Sequence, residues 1–298
     1  MQSPGPTRYL SSYQEAGLVS KKQWIVPDTI MNTLRPLFPL FFLGFCFPVV
    51  WYALRMPKNY FLVTLLVIFF AAVFFSDLMS SIVHISFVDN AYSTTQFEMD
   101  RDGYMVVPTM YGYSSCHHFF PSNWKDIDDI NSMITVMLIL IFIFVPMLEL
   151  VFHSAEIKLF FYIVFLFLII TPVSHKYMHE RHHKRYVPWY YECLFRCQLL
   201  LSKERHVKHH ENDVYDWGLL NGWSDMFFNQ IIYGLCYFGN LCPIELMSEN
   251  FKKYEKTAGE AAPMHVRFVG DIEGRIVCRR EGTRYVLIQS NDEMRNVK

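Results

Sequence analysis

A surplus of charge is missing from this sequence. In 298 residues, 27 Lys plus Arg stand against 28 Asp plus Glu, a formal net charge of -1. Without a basic excess there is no electrostatic footprint for a nucleic-acid partner. Charge of either sign is scarce at 18%, whereas 52% of residues are hydrophobic and 27 are Phe. That balance excludes a disordered chain and leans away from a water-soluble globule toward a membrane protein. Paired cysteines are missing too: the seven present are an odd set with no C-x-x-C spacing, which argues against a secreted disulfide framework and against a zinc ribbon. The first 33 residues are polar and lack the short apolar core and small-residue cleavage site of a secretory signal. No internal repeat of solenoid period is visible.

What the sequence does have is long apolar runs. Leu37 to Leu54, Tyr60 to Phe75, Met133 to Phe152 and Leu159 to Val173 each approach the length a helix needs to cross the hydrocarbon, roughly 20 residues at about 1.5 Å each. The expected fold class is therefore an all-α integral membrane protein of four transmembrane helices, with a cytosolic histidine-rich helical cap and a small β-like C-terminal tail. The expected divisions are a cytosolic leader (1–33), a membrane domain (34–243) and a cytosolic tail (244–298). Lys21, Lys22 and Arg35 precede the first span and Lys176, Arg181, Lys184 and Arg185 follow the fourth, against Arg55, Lys58 and Lys158 on the other side. By the positive-inside rule, both termini and the 89–132 loop face the cytosol. Met226 to Cys242 is apolar but interrupted by Asn229, Gln230, Gly234 and Gly239, which suits an in-plane or re-entrant helix. In the tail, apolar and polar residues alternate around His265–Val269, Arg275–Cys278 and Tyr285–Ile288, the pattern of short strands.

Chemistry resides in the histidines, nine of the twelve being tightly clustered. His84 ends the second hydrophobic segment and stands seven residues, two helical turns, after Asp77. His117 and His118 are adjacent in the loop. His175 and His179 form H-x-x-x-H after the fourth run, and His206, His209 and His210 form H-x-x-H-H beyond it. Spacings of three and four put imidazoles on one helix face, where a metal can collect them. Two crossings separate His118 from His175, so all four groups return to one side of the bilayer. Imidazole-rich ligation suits iron, zinc or copper, and a site at the headgroups fits oxygen-dependent attack on a lipid C–H bond. A competing motif lies inside the cluster: His179-Glu180-Arg181-His182-His183 matches H-E-x-x-H, a zinc metalloprotease signature. A non-catalytic metal carrier or membrane adaptor is a further alternative.

Several of these segments resemble the Kua-type membrane lipid desaturases, the family of plasmanylethanolamine desaturase and of the plant palmitate trans-desaturase. The resemblance rests on Ser76-Asp77 through His84, the His117-His118 pair, His175 to His179, and Lys203 to His210 followed by Tyr215 and Gly222-Trp223. It implies a di-iron desaturase with His84, His117, His118, His175, His179, His206, His209 and His210 as catalytic iron ligands and Asp77 as a supporting partner of His84. It also implies O2 as co-substrate, electrons from a cytochrome b5 or ferredoxin-type donor, a lipid substrate carrying an alkyl-ether (plasmanyl) or acyl chain, and residence in the endoplasmic reticulum.

Overall fold

The computed structural model describes residues 8–9, 13–20, 28–88, 100–109, 128–182, 184–211, 216–239, 263–270, 272–281 and 284–296. Four helical stretches are long and apolar enough to cross a membrane: Thr29–Arg55, Phe61–Ser86, Asp129–Val151 and Ala155–His182. The first comprises α1 (Asp28–Leu34), a short 3-10 turn and α2 (Phe38–Arg55). The second is α3 (Phe61–Val83), which ends in a π-turn over His84–Val88. The third runs from α4 (Asp129–Ile139) through a π-turn at Leu140–Phe144 into α5 (Val145–Val151). The fourth is one continuous helix, α6 (Ala155–His182).

The second and fourth helices outrun their apolar segments by about two turns, and the added residues explain themselves. Ser76, Asp77, Ser80 and Ser81 on α3, and Ser174, His175 and His179 on α6, are all buried against protein. Polar residues extend a span where protein, rather than lipid, supplies their partners. The fourth span is the hub: half of its apolar window is buried, against 6% for the first, and it packs on the other three. Leu40, Phe47, Leu62, Phe142 and Leu150 point outward and are exposed, a belt that suits hydrocarbon better than water.

Polar clamps hold the bundle at both ends. At one end, Asp129 accepts from Lys176 Nζ at 2.7 Å and from the Tyr177 hydroxyl at 2.5 Å, while Arg35 pairs with Asp128 at 2.7 Å. At the other, Glu149 accepts from the Tyr52 and Tyr162 hydroxyls, each at 3.0 Å, and pairs with Lys158. Carboxylates in a span need such partners to be tolerated.

After α6 come two short helices, α7 (Trp189–Arg196) and α8 (Lys203–Glu211), and then α9 (Asp225–Gly239). The last covers most of the stretch expected to lie in plane; at 15 residues it falls short of the roughly 20 a crossing takes.

The β structure is wider than a tail element. Strands β4 (Met264–Gly270), β5 (Ile272–Glu281) and β6 (Arg284–Gln289) form the expected antiparallel core. Three more segments join it: β1 (Arg8–Tyr9) pairs with β6, β2 (Val19–Ser20) with β5, and β3 (Met105–Thr109) with β4 in parallel. Met264, Val266 and Phe268 alternate inward beside Met105 and Val107, the period-two signature of a half-buried strand. A short helix, α10 (Asn291–Arg295), closes the sheet with a capping box from Ser290 and Glu293. Gly17 has φ +69°, and a Cβ there would lie 2.7 Å from an Asp292 carboxylate oxygen, so the leader's turn packs tightly on that helix. Hydrogen-bonded strands share one side of a bilayer, so the sheet puts leader, loop and tail segments together, as an even number of crossings between them requires.

Candidate metal centre

Three elements deliver the histidines. The fourth span presents His175 and His179 one turn apart, α8 presents His206, His209 and His210, and the second span ends on His84. The first two groups meet closely. His175 Nε2 lies 3.2 Å from His206 Nε2 and 3.2 Å from His179 Nε2, and His179 Nε2 lies 2.9 Å from His206 Nε2. His210 Nε2 joins at 3.1 Å from His206 Nε2. His175, His179 and His206 are buried and offer their ligand atoms to one point.

A triangle of ring nitrogens this tight has a definite chemical meaning. A neutral imidazole has one donor and one acceptor nitrogen, so three Nε2 atoms facing each other cannot all be satisfied by one another. A cation at the centre removes the conflict. With metal–nitrogen bonds of about 2.1 Å, neighbouring ligand nitrogens lie roughly 3.0 to 3.4 Å apart, which the observed edges approach. The donor set fits a transition metal that favours imidazole.

A second group flanks the first. His84 and His209 have ring centroids 4.7 Å apart, with His84 5.3 Å from His175 and His209 6.0 Å from His206. Nδ1 of His84 lies 2.8 Å from the Trp217 carbonyl. With Nδ1 donating, Nε2 carries the lone pair, the arrangement in which a backbone carbonyl fixes the tautomer of a ligating histidine. Six of the eight expected ligands therefore gather in one place; His117 and His118 lie outside the described residues. His182 ends α6 partly exposed, and His183 lies outside the described residues.

Asp77 was expected beside His84. Its carboxylate turns instead to the loop before α9. Oδ1 accepts from the backbone N–H groups of Leu220, Asn221 and Gly222 at 3.2, 2.9 and 3.0 Å, and Oδ2 from the Ser224 N–H and hydroxyl at 2.8 and 2.7 Å. The same loop offers the carbonyl that anchors His84, so Asp77 reaches the histidine through four residues of backbone rather than by contact. Ser80 adds a bond from the Leu219 N–H at 3.0 Å. Asp225 holds the loop from its other end, accepting from the Gly218 N–H at 2.6 Å and pairing with Arg205 at 2.9 Å. Burial, and then the charge of Asp77, push the Asp225 carboxyl up to about 6. At Gly218 a Cβ would lie 2.8 Å from an Asp225 oxygen and 2.9 Å from one of Asp77, so only glycine fits between them. Trp217, Gly218, Ser224, Asp225 and Arg205 carry no spacing motif of their own in the sequence. Their one signal was Gly222-Trp223 and the charged residues around the histidine motifs, which carry no period to read.

Glu180 bears on the protease alternative. It is buried, and its Oε1 accepts from Arg185 at 3.2 Å; among the described residues His179 shares the cluster with His175, four residues earlier, and with His206. Comparison with known proteins agrees with the desaturase side. A model of the lipid desaturase domain matches residues 73–234, more than half of the chain and the stretch that holds every histidine of the cluster. No curated protein and no solved structure matches.

Proposed function

The chain belongs to the lipid desaturase family, and from that premise we propose that it removes two hydrogens from adjacent carbons of a membrane lipid's alkyl-ether or acyl chain. The overall change is –CH2–CH2– plus O2, two electrons and two protons to –CH=CH– plus two water molecules. The electrons come from a cytochrome b5 or ferredoxin-type donor. The observation that carries the reading is the convergence of His175, His179 and His206 Nε2 atoms at 2.9 to 3.2 Å, at the end of the fourth apolar span.

His175, His179, His206 and His210 would hold one iron, and His84 and His209 would contribute to a second with His117 and His118. Iron there supplies the O2 activation that no side chain performs alone. The chain's own residues do the rest. The Trp217 carbonyl keeps the proton on Nδ1 of His84, the Asp77 and Asp225 carboxylates hold the loop that bears this carbonyl, and the buried rings exclude bulk water. In this reading the protein resides in the endoplasmic reticulum, and the basic residues flanking the first and fourth spans support cytosolic termini.

Expression in cells, followed by lipid analysis against a vector control and metal analysis of the purified protein, tests the proposal. We expect a new double bond in an ether or acyl chain, about two irons per chain, and activity retained in Glu180→Gln. Stoichiometric zinc without iron, with Glu180→Gln as inactive as His179→Ala, would establish the protease alternative.

A further inference from the structure

Two apolar cavities, among those bounded by described residues, flank the fourth span. One, of about 380 Å³, opens between the second, third and fourth spans and is walled only by apolar side chains, among them Met79, Leu140, Leu148, Phe161, Val164 and Leu168. The other, of about 510 Å³, lies between the first, second and fourth spans, with Leu66, Ile163, Leu166 and Ile170 in its wall. Hydrophobicity does not choose between them. Helical register does.

Residues seven apart on a helix share a face. On α6, which stays helical from Ala155 to His182 through Pro172, the first cavity's Phe161 and Leu168 are followed at that interval by His175, and eleven residues, three turns, connect Val164 to His175 and Leu168 to His179. The second cavity's Ile163 and Ile170 lead to Tyr177, whose hydroxyl is committed to Asp129, and its Leu166 leads to Val173, packed in the core. Only the first cavity lies on the helix face that carries two of the clustered histidines. A second feature marks the same wall: the third span leaves α-geometry for a π-turn at Leu140–Phe144, and both end residues of that turn line the cavity. Pro146, which lacks the N–H that would bond to Phe142, follows directly, and π-turns occur often at functional sites.

We propose that the 380 Å³ cavity holds the methyl end of the hydrocarbon chain of the lipid whose carbons are desaturated, and that the other cavity does not. This rests on the desaturase reading for the identity of the occupant. Fourteen residues separate Phe161 from His175, about 21 Å along the helix, more than the roughly 15 Å of one leaflet's hydrocarbon. A chain with its reacting carbons at the histidines therefore runs extended past the bilayer midplane, and the cavity's far end limits the length accepted.

The test uses the full-length protein in membranes and a phospholipid with one saturated chain carrying a diazirine near its methyl end and a terminal alkyne for recovery. After irradiation, adducts are mapped by peptide mass spectrometry. We expect adducts on the 140–152 and 161–168 segments that unlabelled lipid competes away. Met147→Trp should reduce them several-fold, because Met147 lines this cavity and is exposed enough to be enlarged without unfolding the bundle. Leu66→Trp, in the other cavity, should leave them unchanged. Adducts that respond to Leu66→Trp instead, or that resist both substitutions and competition as surrounding lipid would, overturn the assignment. Capture does not depend on turnover, so competed adducts in a protein that makes no double bond would support the cavity while overturning the reaction.

Discussion

At the scale of single residues, Asp225 shows how a buried acid couples the loop to pH. Its carboxyl is raised from 3.8 to about 6, by burial first and by the neighbouring Asp77 second. An acid whose folded-state value lies above its unfolded one binds more protons when folded, so its contribution is most favourable below the unfolded value and declines as pH rises through the folded one. The window runs from 3.8 to about 6, and a rise of that size corresponds to at most about 3 kcal/mol. Asp225→Asn has no such titration. Its unfolding midpoint relative to the natural protein should rise across that window and stay level above it, as followed by thermal unfolding in detergent at stepped pH. A constant difference across the window would mean that Asp225 does not titrate there. Arg205 sits in the balance, since its pairing with Asp225 at 2.9 Å limits the rise that burial imposes.

At the scale of elements, the second span and the 216–224 loop form one unit. Asp77 satisfies five donors of that loop with two oxygens, and it is fully buried. Removing the acceptor leaves those donors without a partner in a site closed to water, a loss of about 3 to 5 kcal/mol. Asp77→Ala should therefore lower the unfolding midpoint and, by freeing the Trp217 carbonyl from its position at His84 Nδ1, lower the metal bound per chain. Asp77→Asn keeps one carbonyl oxygen for the three N–H groups and should lose less of both. Gly218→Ala, which would force a methyl between the Asp77 and Asp225 carboxylates, should resemble Asp77→Ala. Unfolding and metal analysis on the same preparations check all three; metal content unchanged in Asp77→Ala would show that the loop does not position His84. The unit also explains why the second span runs past its apolar run: Ser76, Ser80 and Ser81 return their hydroxyls to backbone or loop, with Ser80 and Ser81 both donating to the Asp77 carbonyl.

At the scale of the whole molecule, the sheet and the spans constrain each other. Strand β3 lies before the third span and β4 after the fourth, yet the two pair in parallel from Met105↔Val266 to Thr109↔Gly270. Parallel strands need a long connection, and here it includes the third and fourth helices long and apolar enough to cross a membrane. Two crossings between them would bring those strands back to one side; an extra one would part them. An N-glycosylation acceptor inserted near Pro57 should thus be modified in cells, and one inserted after Pro243 should not. Modification of the tail site alone would reverse the orientation, and modification at both would break the even count that the sheet needs; an extra crossing between His118 and His175 would also part the histidines, whereas one at Met226 to Cys242 would leave the histidine site intact and relocate only the tail.

Much of this architecture is written locally. Four apolar runs specified four spans, because hydrocarbon imposes its own length on any helix that crosses it. The alternation around His265–Val269 and Tyr285–Ile288 specified strands, and the spacings of His175 with His179 and of His206 with His209 and His210 specified which ring shares a face with which. Periodicity states the direction a side chain points; it does not state what stands opposite. That Asp77 faces a loop 143 to 147 residues further along the chain, that two-residue strands of the leader complete a sheet begun in the tail, and that a backbone carbonyl orients His84 were decided by tertiary packing alone. Each depends on backbone donors and acceptors that every residue carries, so no residue type marks them in advance.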